Sequence, residues 1–254
     1  MNTVQVSYPV EAHHLTKKIE DDSFWYQHRT SVILKAIKKN ISGTPTIYDL
    51  GGGNGPISKA LINNGYNCVL VEALPDAVTI AKERGIQSTI LSTIQDFKKT
   101  ELSVVLLADV LEHIEDDLSM LKQLYQQIAP GGGIVITVPA FSHITTSIDR
   151  EIGHFRRYTT SNMSAKLTEA GFVVQQRSYF FSLLYLPFVL LRVLPEKLGF
   201  TKNKKDNRRN KEHLSNSPRL NKLAGKFLQW ECRCIQSGIR IPFGTSCIVV
   251  ATKS

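Results

Sequence analysis

A short apolar segment runs into a cluster of glycines in Thr46-Ile47-Tyr48-Asp49-Leu50-Gly51-Gly52-Gly53-Asn54-Gly55, and Glu72 stands about 20 residues beyond it. Glycines at Gly51, Gly52, Gly53 and Gly55 let a ligand approach the main chain with no Cβ in the way. A carboxylate at the spacing of Glu72, with Ala73 directly after it, accepts both hydroxyls of a ribose. Together these residues specify an adenosine-bearing ligand.

The loop also narrows which ligand. A dinucleotide fingerprint needs glycine where Pro56 stands, and proline withdraws an N–H from the helix start that would hold a pyrophosphate. No Lys-Ser or Lys-Thr follows the loop, so it is not built for a nucleoside triphosphate. A glycine loop preceded by the acid Asp49 instead fits a ligand with an ammonium group and a sulfonium but no phosphate. S-adenosylmethionine is that ligand. NAD-dependent hydride transfer is the alternative, which Pro56 disfavours; a cofactor-binding or membrane-surface module without catalysis is another.

These residues, together with Asp109-Val110-Leu111-Glu112-His113-Ile114, resemble a class I S-adenosylmethionine-dependent methyltransferase over about residues 20–178 and again at the last strand. The resemblance implies that the glycine loop wraps the methionine moiety, that Glu72 binds the ribose and that Asp109 lies near the methionine end. Such proteins often place an acid beside the adenine. Here that region reads Leu91-Ser92-Thr93-Ile94-Gln95-Asp96-Phe97, which leaves Ile94 and Gln95 as the adenine contacts. Phe24-Trp25-Tyr26-Gln27-His28-Arg29 is similar to the lid helix of such enzymes, with Trp25 toward the substrate; an aromatic packing stripe is the other reading.

Methyl transfer from a sulfonium is an in-line displacement that a protein assists by holding the acceptor and excluding water. A base is needed only where the acceptor must lose a proton. Two stretches offer candidates: Pro139-Ala140-Phe141-Ser142-His143 and Gly153-His154-Phe155-Arg156-Arg157-Tyr158. His143 or His154 can act as a base. Arg156 and Arg157, with Tyr158 beside them, can clamp a carboxylate or phosphate of the acceptor. Alternatively, an arginine pairs with Asp149 or Glu112 and fixes the loop. Cys232 and Cys234 have no second pair at ligand spacing, so no metal site is expected.

The elements that must position these residues follow from the apolar pattern. Strands are expected at Thr46–Leu50, Asn67–Val71, Ser88–Leu91, Val104–Ala108, Gly133–Val138, Phe172–Ser178 and Ser246–Ala251. Helices are expected over 11–40, from Pro56, over Pro75–Arg84 and Asp116–Ile128, and after a cap at Thr159 or Thr160. Continuous apolar strands alternating with helices indicate an α/β three-layer sandwich with a seven-stranded, mostly parallel, Rossmann-like sheet. Its last strand is expected to run antiparallel. The chain reads as one domain over 1–254, with an N-terminal helical lid at 1–40 and an insertion at 179–245 between the sixth and seventh strands.

The 254 residues, 42% hydrophobic and 21% charged, can bury a sizeable core and exclude global disorder. Net charge is +9, but ten basic residues against two acidic ones lie between Lys197 and Lys226. The charge is therefore one local patch in which Phe200 is the single Phe, Tyr or Trp, which argues against nucleic acid. Just before it, residues 179–194 are almost wholly apolar yet interrupted by Pro187 and Arg192, and too short to span a bilayer. They fit a cap over a small-molecule acceptor, a homodimer contact, or contact with an anionic membrane surface, where a lipid-linked acceptor becomes plausible. A helix built on Leu220, Leu223, Phe227, Trp230 and Ile235 follows. The start, Met1–Val6, lacks the basic and apolar run of a secretory signal, so a cytoplasmic location is expected, at the inner face of a membrane if the surface reading holds.

Overall fold

In the fourth apolar run, alternate residues leave in opposite directions: Val104 and Leu106 enter one buried layer, Val105 and Leu107 the other. A period of two places a strand inside the protein with both faces covered. The computed structural model describes Glu20, residues 23–200 and residues 218–254, the side chains of 218–223 excepted. The first part of the helix expected over 11–40 and most of the basic run fall outside the described residues.

The strands are β1 (Ile47–Leu50), β2 (Cys68–Glu72), β3 (Thr89–Leu91), β4 (Leu102–Ala108), β5 (Ile128–Pro139), β6 (Val173–Phe180) and β7 (Ser246–Thr252). They form one sheet in the order β3-β2-β1-β4-β5-β7-β6. Pairings from β3 through β5 are parallel, and β7 runs antiparallel to both β5 and β6. The helices are α1 (Phe24–Asn40), α2 (Pro56–Asn63), α3 (Pro75–Glu83), α4 (Asp117–Gln127), α5 (Ser147–Glu151), α6 (Thr160–Glu169), α7 (Ser182–Phe188), α8 (Leu194–Lys197) and α9 (Pro218–Gln236).

One face of the sheet is covered by α1, α2 and α9 through Val32, Ile33, Ile37, Leu61 and Leu228; the other by α4 and α6 through Leu121, Leu124, Met163 and Leu167. This is the expected three-layer sandwich. Leu106 and Leu107 are fully buried and contribute on the order of 2 kcal/mol each, which anchors the strand that carries Asp109 at its end. Ser23 caps α1 by accepting from Trp25 N at 3.3 Å, and Thr159 caps α6 by accepting from Asn162 N at 3.0 Å.

Several boundaries differ from expectation, two of them at sites with a visible cause. The helix expected to run to Ile128 stops at Gln127, and Ile128 already opens β5 by pairing with Leu102. Gly133 pairs next, with Val104, so residues 129–132 bulge out of the strand around Pro130, which has no N–H to give the ladder. At the insertion, β6 keeps Tyr179 and Phe180. The helix that follows contains Pro187, and its ladder widens into a π turn at Val189–Val193 before α8.

The strand order reverses between β1 and β4. Their carboxyl ends therefore frame the crevice where an open α/β sheet receives its ligand.

Candidate active site

Leu50 and Ala108, at the tips of β1 and β4, lead into the glycine loop and into Asp109. Between them opens a cavity of about 750 Å³ bordered by Gly51, Gly52, Gly53, Glu72, Asp109 and His154. A second cavity of about 880 Å³ shares Gly51 and Glu72 with the first and continues to Ala73, Ile94 and Gln95. The residues read from the sequence as methionine-end, ribose and adenine contacts thus line two cavities that share Gly51 and Glu72.

The loop needs its glycines. A Cβ on Gly52 would sit 2.8 Å from Asp49 Oδ2, and Gly55, at φ 79°, would drive one into Ile86. Asp49 is buried. Its Oδ2 accepts from Ser58 Oγ at 2.6 Å, while Oδ1 has no hydrogen-bond partner. Burial raises its pKa from 3.8 to about 6, only partly opposed by Ser58 and Arg29. An unpartnered, buried carboxylate oxygen beside an open loop suits an ammonium group. Glu72 accepts from Gly53 N at 3.0 Å, Ala73 N at 2.8 Å and Leu74 N at 3.0 Å. Those bonds fix the carboxylate and leave acceptor capacity on Oε2 for a ribose hydroxyl. The residues present fit S-adenosylmethionine.

Asp109 adopts φ 57°, a left-handed conformation rare for a residue with a side chain. Its Oδ1 accepts from Thr137 Oγ1 at 3.0 Å, and its Oδ2 pairs with the Arg29 guanidinium from α1. Trp25, one turn earlier on α1, borders the cavity and stacks on Phe181 with ring centroids 3.7 Å apart. Beneath it, His28 Nε2 lies 2.5 Å from Glu231 Oε2 of α9. Glu231 also accepts from Phe181 N at 2.8 Å, Ser182 N at 2.9 Å and Ser182 Oγ at 2.6 Å.

At the acceptor end, His154 and Arg157 meet on Asp149. His154 Nδ1 is 3.0 Å from Asp149 Oδ1, and Arg157 donates to the same oxygen from Nε at 2.9 Å. Although burial alone would raise the pKa of Asp149, the hydrogen bond from His154 and the charge of Arg157 hold it well below the usual range. Asp149 also closes a capping box with Thr146 at the start of α5. The roof is apolar: Leu184, Pro187, Phe188 and Leu191 of the insertion.

Not every expected residue joins this wall. Tyr158 is 1% exposed, and its hydroxyl donates to Asp117 Oδ2 at 2.7 Å, a partner inside the protein. Arg156 pairs with the same Asp117 at 3.0 Å and donates to Glu115 O. His143 faces Tyr185 OH at 2.7 Å, and none of these three borders the large cavity. Arg157 thus pairs with Asp149, the alternative weighed for it, and Arg156 with a different acid, Asp117. Missed from the sequence were Arg29, which lies one helical turn after Trp25 on the same face, and the roof residues, whose i, i+3, i+4 recurrence was readable.

Residues 25–177 match a family model described as a methyltransferase domain. A ubiquinone biosynthesis O-methyltransferase of Rickettsia canadensis is 35% identical over 97 residues, 36% of this chain and 41% of that protein. The chain thus spans about two-fifths of the length of the curated relatives it matches. In fold it is similar to Haemonchus contortus phosphoethanolamine N-methyltransferase 2, solved with S-adenosyl-L-methionine. The TM-score is 0.61 at 15% identity, over 98% of this chain and 58% of that one. It is also similar to a Haloferax volcanii methyltransferase solved with the activator Trm112, with TM-score 0.60 at 13% identity over 96% and 97% of the two chains. None of these findings supports the hydride-transfer alternative. The chain belongs to the methyltransferase-domain family and has the fold of its class I, S-adenosylmethionine-dependent members.

Proposed function

We propose that the protein transfers the methyl group of S-adenosylmethionine to a hydroxyl oxygen of a small or lipid-linked acceptor. One observation carries this reading: a single cavity joins a glycine loop with Asp49, Glu72 and Asp109 to an apolar roof made by the insertion. When bound, the sulfonium supplies an electrophilic methyl carbon. In this reading the loop main chain and Asp49 hold the amino-acid tail, Glu72 the ribose, and Ala73, Ile94 and Gln95 the adenine side. Helix α1 covers the cofactor as a lid through Trp25. The roof keeps water from the acceptor and aligns it for in-line attack. His154 borders the cavity on the acceptor side with Arg157.

Oxygen is preferred over nitrogen because the matched relatives are named for O-methylation. A lipid-linked acceptor is supported by the outer side of the insertion, where Leu186, Leu190 and Leu198 are exposed, Leu186 by 61%. The basic run follows directly in the sequence, the pattern of a protein that rests on an anionic membrane. Among the described residues, no helix is long and apolar enough to cross a membrane.

The test is a transfer assay with radiolabelled S-adenosylmethionine over lipid and aqueous extract fractions. Label entering a hydroxyl-bearing compound of the lipid fraction is the expected result. Cofactor binding with no label in any fraction would leave a binding module and sink the proposal.

A further inference from the structure

Glu112 is fully buried, and neither of its carboxylate oxygens has a hydrogen bond. An acid in that state costs several kcal/mol that a nonpolar residue of similar size would not. Folding alone gives no reason for it. What surrounds it does: one donor atom each from Glu112, His113 and His154 lies within 4.8 Å of the others, on the wall of the large cavity.

We propose that Glu112, His113 and His154 bind a divalent transition-metal ion, of the zinc or manganese class. The orientation of each ring supports this. His154 Nδ1 is held by Asp149 at 3.0 Å, which leaves Nε2 as the atom presented to Glu112, 3.8 Å from Oε1. That gap is too long for a hydrogen bond, and a closing movement of about half an ångström brings both atoms to metal-bond distance at about 2.1 Å each. A carboxylate behind an imidazole is the usual means of fixing a metal-binding histidine in its tautomer. His113 is tied to the backbone of Gly153 and meets the His154 ring edge-on, centroids 4.6 Å apart.

Charge points the same way. The cations that face Glu112 are Arg29 and Arg157, and each is paired with another acid, Asp109 and Asp149. Asp109 adds its own negative charge. Two imidazole nitrogens and one carboxylate oxygen suit zinc, manganese or iron(II) better than magnesium or calcium, which take oxygen donors. Three protein ligands leave at least one coordination position for an oxygen from the cavity. That this oxygen belongs to the methyl acceptor rests on the function proposed above; the cation site itself does not. The composition and cysteine spacing gave no hint of the cluster, because His154 is remote in sequence from Glu112 and His113 and is brought beside them by the loop after α5.

The test is calorimetric titration of the chelator-stripped protein with ZnCl₂ and, separately, MnCl₂, with the manganese resonance signal as a second readout. One equivalent is expected to bind, weakened about tenfold or more in Glu112→Gln and in His154→Ala. His143→Ala, outside the cavity, is expected to bind as the parent does. Glu112→Gln replaces an unpartnered buried acid with a neutral residue of the same size, so in chelator it is expected to melt no lower than the parent. Absence of saturable binding, or equal binding by parent and both variants, would overturn the site. Cofactor binding to the stripped protein, measured in parallel, distinguishes loss of this site from failure of the methyltransferase reading.

Discussion

The guanidinium of Arg29, on the first described helix, pairs with the carboxylate of Asp109 at the tip of β4, and Asp109 holds a left-handed backbone to meet it. That conformation costs a residue with a Cβ about 1–2 kcal/mol. The ion pair, partly buried on both sides, offsets this and ties α1 to the strand that frames the ligand crevice. Arg29→Ala is expected to lower stability by about 1–3 kcal/mol and to weaken cofactor binding by a larger factor than Lys35→Ala on the same helix. Urea denaturation and cofactor titration of both variants check it.

Glu72 holds the loop and, in the proposed function, the ribose as well. Removing its carboxylate frees three backbone N–H groups and would take away that ribose contact. Glu72→Ala is expected to weaken S-adenosylmethionine binding by about 2–4 kcal/mol, with Glu72→Gln between it and the parent. A Glu72→Ala protein that titrates like the parent would contradict the assigned role.

Asp49 makes a prediction about pH. Its ordinary pKa of 3.8 rises to about 6 on folding because it is buried. Between those values the folded protein holds a proton that the unfolded chain has released. This residue's contribution to stability therefore falls as pH rises from about 4 to about 6, and stays low above that. Asp49→Asn is expected to abolish the fall. Cofactor affinity of the parent should move the opposite way, rising through pH 6 as the carboxylate ionises to receive the ammonium group. Denaturation midpoints and titrations at about pH 4.5, 6 and 7.5 read both trends.

Tyr158 is expected to act through the fold. Tyr158→Phe loses the hydroxyl bond to Asp117, so stability should drop by about 1–2 kcal/mol while KM for any acceptor stays unchanged. A raised KM at unchanged stability would return Tyr158 to the substrate side.

The exposed leucines of the insertion are expected to support flotation with vesicles of anionic lipid. Leu186→Glu with Leu190→Glu should reduce the floated fraction severalfold and leave cofactor binding intact. Equal flotation by parent and variant would remove the membrane contact and leave the insertion as a cap or a dimer surface.

The sheet and the loop were legible because each is written locally. Apolar runs such as Val104–Ala108 announce buried strands, and Gly51 to Gly55 with Glu72 announce a close ligand approach by spacing alone. The acceptor end was not, because its geometry depends on which charges find each other. Arg156 and Arg157 are neighbours in sequence, yet one turns to Asp117 and the other to Asp149. Tyr158 follows them and turns inward. The end of α4 was misjudged for a related reason: Pro130 marks a bulge within β5, and a proline-glycine pair signals either event equally well.

Glu231 receives His28 of α1 on one oxygen and Ser182, the first residue of α7, on the other. Helix α1 and the opening of the insertion are thus fastened to the same latch. A displacement that lifts one strains the fastening of the other, so the two segments are mechanically joined. If they cover cofactor and acceptor as proposed, admission of one reactant would be felt at the threshold of its counterpart.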